Sequence, residues 1–526
     1  MDRARIWQEY CGFLELSISD YMYIQNHLMW EQLQLWSKSG LGKSILKGET
    51  PETVEEFRRA APLTTYYDYA DILLSKNADM LPGEPVIWIQ TTWEGGIRPI
   101  KVAPYTKGML EVYKHNTVAV VMLASSNGDG DFNVTKKERV LYGGAPLPYA
   151  TGLLPSLLDE DVSFEWLPDN NSGSELSFSE RIKKGFDMAK KGGIDFFFAI
   201  GSVANYITES FGSNSGKKGG VRISPSIALR YVRAKYICKR DNRKLMPGDI
   251  FRIKGFVSTG NDAGCYRERL KNAWGVTPIE IAAGTESTCI ATETWEHDGM
   301  VFFPDACFYE FIPEAEMKRN IENPEYQPRT CLMDEVSGGE TYELVISVFK
   351  GGAFMRYRIG DVYRCISAGK DGSLPKFTYL DRIPSIIDIA GFTRISEASI
   401  EEVMTLSGLS VGAWTAKKEF DENNNPHLHI YTEISSGSAE TSALSQKVLE
   451  EHMSVYFKYF DSDYSDLKKL LGIDPLKITI LKYGVISAYQ KKTGCVLPRI
   501  NPDLMDITEL LKFQNEYNMI YIEEGA

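Results

Sequence analysis

The chain has no cysteine framework of the zinc-binding kind. Its eight cysteines (Cys11, Cys238, Cys265, Cys289, Cys307, Cys331, Cys365 and Cys495) are scattered, with no Cys-x-x-Cys pair and no histidine at zinc spacing beside them. Such spacing fits buried, reduced thiols in a cytoplasmic protein. Long apolar runs are also missing: none approaches the roughly 20 residues of a membrane span. The opening stretch, MDRARIWQEYCGFLEL, is charged and amphipathic and has no signal-type apolar centre. A soluble, cytoplasmic chain with no membrane partner is expected. Positive charge is in short supply as well, with 58 Lys and Arg against 71 Asp and Glu and a net charge of −13. That balance argues against a broad nucleic-acid surface but leaves room for a local basic pocket.

At 526 residues, with 43% hydrophobic and 25% charged side chains, the chain is long enough for more than one core and has a globular composition. Residues 1–47 read as helical. Within them Gly42-Lys43-Ser44 imitates the end of a phosphate-binding loop, but Ser37 stands where that motif needs glycine and no strand precedes it. A short helix is expected over Pro51 to Arg59 with Thr50 as its cap, and another over TYYDYADILL. IFRIKGFVSTGN, GCYRERLKNAWG and PIEIAA alternate strand, helix and strand, which points to an α/β architecture with ligands beyond the strand ends. MVFFPDACFYEFIPEAE reads as paired strands. After Arg382-Ile383-Pro384 the pattern becomes a compact α+β segment. The expected organisation is α/β: a large N-terminal α/β domain over 1–381 and a smaller C-terminal α+β domain over 382–526.

Four stretches can carry chemistry. Strand VIWIQ runs into Thr91-Thr92-Trp93-Glu94-Gly95-Gly96, with Arg98 and Lys101 downstream. Hydroxyls and glycines there can wrap phosphates, because N–H and O–H donors converge where no Cβ blocks approach. An ordinary polar turn is the competing reading. PIEIAA leads into Gly284-Thr285-Glu286-Ser287, where a carboxylate could hold Mg²⁺ and a hydroxyl could donate to phosphate, or the same residues could cap a helix. YELVISVFKGGAFMRYRIGD reads as two strands around a Lys350-Gly351-Gly352 turn, the second ending at Gly360-Asp361. Asp361 there either accepts hydrogen bonds from a vicinal diol, such as a ribose, or merely ends the strand. Gln490-Lys491-Lys492 is expected on a loop, where neighbouring lysines are ordinarily just solvated.

Taken in order, these stretches resemble the acyl-adenylate-forming (ANL-type) superfamily. The best fit is to the auxin-responsive-promoter family of acyl acid amido synthetases, carried by APLTTYYDYADIL, FYEFIPE and MDEVSGGETYELVISVFKGGAFMRYRIGDVYRC. The resemblance spans most of residues 55–500. It implies a large adenylating domain and a mobile C-terminal domain, with ATP and Mg²⁺ used to activate a small carboxylic acid as an acyl-adenylate. An amino acid, or in related enzymes CoA, then displaces AMP. By family position Glu286 is the metal residue, Thr285 is a catalytic residue that meets the α-phosphate, and Gly284 belongs to the nucleotide site. Asp361 takes the ribose, and Arg382 the ribose or phosphate side. Thr91, Thr92, Gly95 and Gly96 form the triphosphate loop, and Lys492 is the catalytic lysine. Trp93 stands where the family has glycine, and Ala282 where it has an adenine-stacking tyrosine. A phenylacetate-type CoA ligase and a non-catalytic relative that binds nucleotide or acyl ligand are the alternative functions.

Overall fold

The computed structural model describes residues 2–92, 100–135, 137–144, 147–156, 163–168, 178–213, 224–260, 262–369, 372–391, 393–434, 446–455, 475–494 and 496–523. Two compact units emerge: Met1–Thr91 with Lys101–Asp381, and Thr92–Ile100 with Arg382–Ala526.

β1 (Pro85–Thr92) and β2 (Ile100–Thr106), which belong to the larger unit except for Thr92 and Ile100, form a two-stranded sheet. The main sheet draws on β3 (Lys137–Gly143), β4 (Ser163–Leu167), β5 (Phe196–Ile200), β6 (Gly255–Thr259), β7 (Ile279–Gly284), β8 (Thr288–Glu293) and β9 (Met300–Phe302). Four more strands complete it: β10 (Cys307–Pro313), β11 (Thr341–Val348), β12 (Tyr357–Ser367) and β13 (Lys376–Arg382). Their order is β10-β11-β12-β13-β9-β8-β7-β6-β5-β3-β4. The half from β4 to β7 is parallel, and the pairs β7–β8, β8–β9, β9–β13, β10–β11 and β11–β12 are antiparallel.

Parallel strands covered on both faces need apolar residues at nearly every position. FFFAI of β5 and GFVST of β6 meet that need, buried almost throughout. Helix Ala263–Trp274 packs beside helix Gly201–Ser213 and ends at Gly275, whose φ of +78° is the left-handed C-terminal geometry that glycine adopts without strain. Its Trp274 lies 4.6 Å from the Phe197 ring and 6.0 Å from that of Phe256, and its indole N–H donates to Thr208 at 2.8 Å. Helix Lys107–Ala124 contacts β6 and β8, and a Cβ on Gly255 would stand 2.7 Å from the Ala124 carbonyl oxygen, so that approach requires glycine.

Helix Ile18–Trp36 ties down the turn at the centre of the 342–361 stretch. Buried Gln32 accepts from Gly351 N–H at 2.8 Å and donates to the Gly352 carbonyl at 3.1 Å, and Trp36 donates to the same carbonyl at 3.0 Å. Lys350 (φ 56°) and Gly351 (φ 82°) both take left-handed conformations, so side chains remote in sequence hold a turn that would otherwise be costly.

In the smaller unit, β14 (Ile386–Ile389) and β15 (Thr393–Ser396) form a hairpin. β16 (Val411–Phe420) pairs antiparallel with β17 (Pro426–Ile434), and β17 pairs parallel with β18 (Leu476–Leu481). Helices Val485–Thr493 and Leu504–Glu523 cover this sheet through Tyr431, Leu481, Val485, Tyr489, Leu510 and Phe513. Glu433 accepts the N–H of Gly484 and of Ile486 at 2.9 and 2.7 Å, placing a carboxylate at the positive end of the helix Val485–Thr493.

Several expectations are corrected. The MVFFPDACFYEFIPEAE strands are not partners: β9 pairs with β8 and β13, and β10 with β11, since a crossover rather than a hairpin joins them. The helix after Pro51 is Val54–Ala60, with Thr53 and not Thr50 accepting from Glu56 N–H. TYYDYADILL is a 3-10 turn at Tyr66–Asp68 followed by a short helix Ala70–Leu74. The strand bearing Asp361 does not end there. It runs on to Ser367, and Gly360 (φ 84°) absorbs a register shift opposite Glu343 and Val345. Lys491 and Lys492 sit in the last turn of helix Val485–Thr493, not on a loop. β16, Val411–Phe420, is a strand beyond those expected. Among the described residues Cys265 is exposed, whereas Cys11, Cys238, Cys289, Cys307 and Cys365 are buried. No described helix is long and apolar enough to cross a membrane.

Candidate active site

Thr285-Glu286-Ser287 forms the turn between antiparallel β7 and β8, so it caps no helix. Glu286 is buried, with its Oε1 accepting from the Tyr357 hydroxyl at 3.0 Å across 71 residues of sequence. Lys101, also buried, reaches the same two groups: its Nζ lies 3.5 Å from Glu286 Oε1 and donates to the Tyr357 oxygen at 3.2 Å. The ammonium stands 5.6 Å from the Tyr66 ring centre, within cation–π range. Tyr66 is fixed in turn by donating to the Val102 carbonyl at 2.8 Å. APLTTYYDY, the β2 strand, the β7–β8 turn and the start of YRIGD therefore converge on one carboxylate.

The turn is crowded. A Cβ on Gly284 would stand 2.9 Å from Ser287 Oγ, and Tyr105 donates to the Gly284 carbonyl at 3.4 Å. Burial, and secondarily the Glu286 charge, raises the Tyr105 hydroxyl well above the ordinary tyrosine range. Ser287 Oγ is buried with no hydrogen-bond partner among the described residues, a polar group available to a ligand.

Other conspicuous charges near the motif hold the scaffold. Arg358 grips the fully buried Glu343 with two hydrogen bonds of 2.7 Å. Arg356 spans Glu310 with two of 2.9 Å, and Arg58 joins the same carboxylate at 3.2 Å. Thr64 donates to the Met355 carbonyl at 2.6 Å and forms an isolated bridge with Tyr357. These contacts lock APLTTYYDY to AFMRYRIGD.

Of the expected site residues, Gly284, Thr285 and Glu286 share one turn, and Asp361 lies half-buried on β12, four residues beyond the tyrosine bonded to Glu286. Thr91 is half-buried at the end of β1, and Thr92 closes that strand; Gly95 and Gly96, with Trp93 and Glu94, lie outside the described residues. Arg382 and Lys492 belong to the smaller unit. Arg382 is buried with Nε 3.8 Å from Asp388 Oδ2, and Lys492 pairs with Glu516 at 3.3 Å. In sequence Lys101 is only a positive charge downstream of Thr91-Thr92. Nothing in the local sequence marks it as buried, because its partners come from strands far along the chain.

The donor set suits a magnesium ion of the phosphate-bound kind, which needs only one or two carboxylates. Both described contacts of Glu286 fall on Oε1, while its Oε2 lies 3.9 Å from where a Gly284 Cβ would be. One oxygen is thus engaged by Tyr357 and Lys101, and the other faces the turn.

The architecture is that of the acyl-adenylate-forming ligases. An acyl acid amido synthetase, AtGH3.15, solved with 2,4-DB, superposes over 98% of this chain and 97% of its own with a TM-score of 0.53 at 16% identity. A 2-hydroxyisobutyryl-CoA ligase solved with 2-HIB-AMP and CoA covers 90% and 88% with a TM-score of 0.56 at 14% identity. Within that fold, residues 300–382 match the GH3 family central domain. A probable indole-3-acetic acid-amido synthetase, GH3.4 of Oryza sativa subsp. japonica, is 25% identical over 190 residues, 34% of this chain and 29% of that protein. The match therefore takes in less than a third of that relative's length. The similarity to amido synthetases read from the sequence stands, carried by the stretch that contains FYEFIPE and YRIGD.

Proposed function

We propose that the chain is an ATP-dependent acyl acid amido synthetase, activating a small carboxylic acid as its acyl-adenylate and transferring the acyl group to an amino acid. The observation that carries this reading is the meeting of Glu286 and Tyr357, which joins the β7–β8 turn to the GH3-like central segment at one buried point. In the first half-reaction the acid's carboxylate attacks the α-phosphorus of ATP and pyrophosphate leaves. In the second, the amine attacks the acyl carbon and AMP leaves. Both partners in the first step are anions, so fixed positive charge and hydrogen-bond donors must offset the accumulating charge. Mg²⁺, held by Glu286, would supply Lewis-acid neutralisation of the phosphates. Thr285 and the Gly284 region would donate to the α-phosphate, and Thr91, Thr92, Gly95 and Gly96 would form the β- and γ-phosphate loop. Asp361 would accept from the ribose hydroxyls, Arg382 would support the ribose or phosphate, and Lys492 would stabilise the adenylation transition state. Lys101 would hold the Glu286 carboxylate in place. The domain boundary at 381/382 belongs to the same reading.

The second reading is CoA as acceptor, favoured by the fold shared with a ligase solved with CoA. Pyrophosphate release from Mg-ATP and a panel of small and aromatic acids tests both, with amino acids added in one arm and CoA in the other. Stimulation by amino acids supports the synthetase, and stimulation by CoA alone replaces it with the thioester ligase. No release across the panel, together with no Mg-ATP binding by the folded protein, overturns both in favour of a non-catalytic binding protein.

A further inference from the structure

The smaller unit carries a second cluster of chemistry that the adenylating site does not use. Glu419 on β16 lies directly opposite His427 on β17, and His429 is two residues further along, so all three side chains share one face of the sheet. Their potential ligand atoms all lie within 4.8 Å of one another. His429 Nδ1 is 2.6 Å from Glu419 Oε2, and His427 Nε2 is 4.0 Å from the same oxygen.

Supporting contacts surround the three groups. Tyr431 donates to the other Glu419 oxygen at 2.7 Å, and His429 Nε2 is hydrogen-bonded to Thr479 Oγ1 at 2.8 Å. With its proton on Nε2, His429 would turn the Nδ1 lone pair towards the carboxylate. Ligating histidines are oriented by this kind of outer hydrogen bond, and ligating carboxylates are likewise held at their second oxygen.

A simple histidine–glutamate hydrogen bond would account for His429. It leaves His427 unexplained, for its Nε2 is buried and has no hydrogen-bond partner among the described residues. Tetrahedral zinc with bonds of 2.0–2.1 Å places its ligand atoms about 3.3 Å apart. The distances of 2.6 and 4.0 Å bracket that value, and the third pair, His427 with His429, lies within 4.8 Å.

We propose that Glu419, His427 and His429 bind one zinc-class divalent cation, with Glu419 Oε2, His427 Nε2 and His429 Nδ1 as ligands and a water in the fourth position. Two imidazoles and a carboxylate suit zinc, and also Co²⁺, whereas Mg²⁺ and Ca²⁺ prefer all-oxygen sites. The ion staples the end of the β16–β17 hairpin, where Asp421 organises the turn by accepting from Asn423 and Asn425 N–H at 2.8 Å each. None of its ligands is among the adenylating residues.

The test uses the full chain stripped with EDTA, dialysed, incubated with zinc chloride, desalted and assayed for metal. One retained zinc per chain, a melting temperature that rises with added zinc, and a tetrahedral Co²⁺ absorption spectrum without thiolate charge-transfer bands are expected. His427→Gln and Glu419→Gln, checked for native circular dichroism, should each lose the retained metal. Tyr431→Phe should keep it with roughly tenfold weaker affinity. A chain that retains no zinc, or variants that retain it as well as the parent, overturns the proposal. A cobalt spectrum dominated by thiolate bands does so too, since it would assign the metal to cysteines. None of these readouts depends on ligase activity.

Discussion

Lys101 Nζ stands 3.5 Å from Glu286 Oε1 with both side chains nearly closed to water. Two desolvated charges and a tyrosine hydroxyl are therefore fixed together where the β7–β8 turn meets β12. Removing one partner of a buried pair leaves the other uncompensated, which costs far more than the pair contributes.

Lys101→Met should accordingly destabilise the protein by about 3 kcal/mol, seen as a lower denaturant midpoint. Adding Glu286→Gln should recover part of that loss, because the stranded carboxylate is gone. A Lys101→Met protein with the parent midpoint would show that water reaches Glu286, and would remove the pair from the account of the site.

Arg358 and Asp361 belong to one motif but should behave oppositely. Arg358 is committed to Glu343 by two hydrogen bonds and to Asn320 by a third, each of 2.7 Å. Arg358→Ala should lower stability by about 3 kcal/mol, and Arg358→Lys should restore it only in part, since an ammonium cannot reproduce the two-pronged contact. ATP affinity of the folded fraction should be unchanged. Asp361→Ala should have the reverse signature, with a KM for ATP raised about tenfold or more by loss of charge-assisted hydrogen bonds and little change in unfolding. Equal ATP affinity in the Asp361 variant would withdraw the ribose assignment.

The histidine–glutamate cluster predicts an acid limb to stability. Burial works against the Glu419 charge, but hydrogen bonds from His429 and Tyr431 outweigh it and hold the carboxyl down to about 2. A carboxyl lowered on folding contributes stability above its unfolded value near 4.5 and loses it as pH falls towards 2. The stability difference between parent and Glu419→Gln, measured in metal-free buffer, should be constant above about pH 7, where His427 is neutral in both, and should narrow as pH falls from about 5 towards 2. For His427, burial and then His429 favour the neutral ring and lower its pKa, while Glu419 opposes them. The unfolded chain then takes up the extra proton as pH drops below 6.5, weakening the fold further. A parent–variant difference independent of pH down to 3 would refute the Glu419 assignment.

Local pattern made much of this protein readable. The β5–β6–β7 rhythm, the helix after β6 and the strands flanking the Lys350–Gly352 turn follow directly from apolar runs and glycine turns. Failures occurred where distant groups settle the outcome. Asp361 looked like a strand terminus because Gly360 ordinarily breaks strands; pairing with β11 instead turns that glycine into a bulge. Lys492 looked like a loop residue because polar neighbours carry no apolar period, yet Phe513 and the carboxylate at Glu433 hold its helix from outside. Lys101 and Gln32 are ordinary polar residues in sequence and become buried only through partners hundreds of positions away. The Glu419–His427–His429 face needed the β16–β17 register, although the His-x-His spacing on a strand was a usable hint.

The lysine at 492 gives the sharpest separation of chemistry from folding. Its side chain is 60% exposed, reaches Glu516 at 3.3 Å and lies 4.9 Å from the Phe513 ring centre. An exposed ion pair of this kind contributes less than about 1 kcal/mol, so Lys492→Ala should melt close to the parent. If Lys492 offsets charge in the adenylation transition state, pyrophosphate release should fall on the order of 10²-fold or more. Conversion of a supplied acyl-adenylate and amine to the amide should continue, since that step no longer needs the lysine. Lys491, exposed on the same helical turn, is the internal control, and Lys491→Ala should leave both half-reactions intact. Should the two variants exchange their effects, the catalytic role passes to Lys491. Were both to release pyrophosphate at the parent rate, no lysine of this turn would take part in adenylation, and the buried Lys101 would become the positive charge to test next.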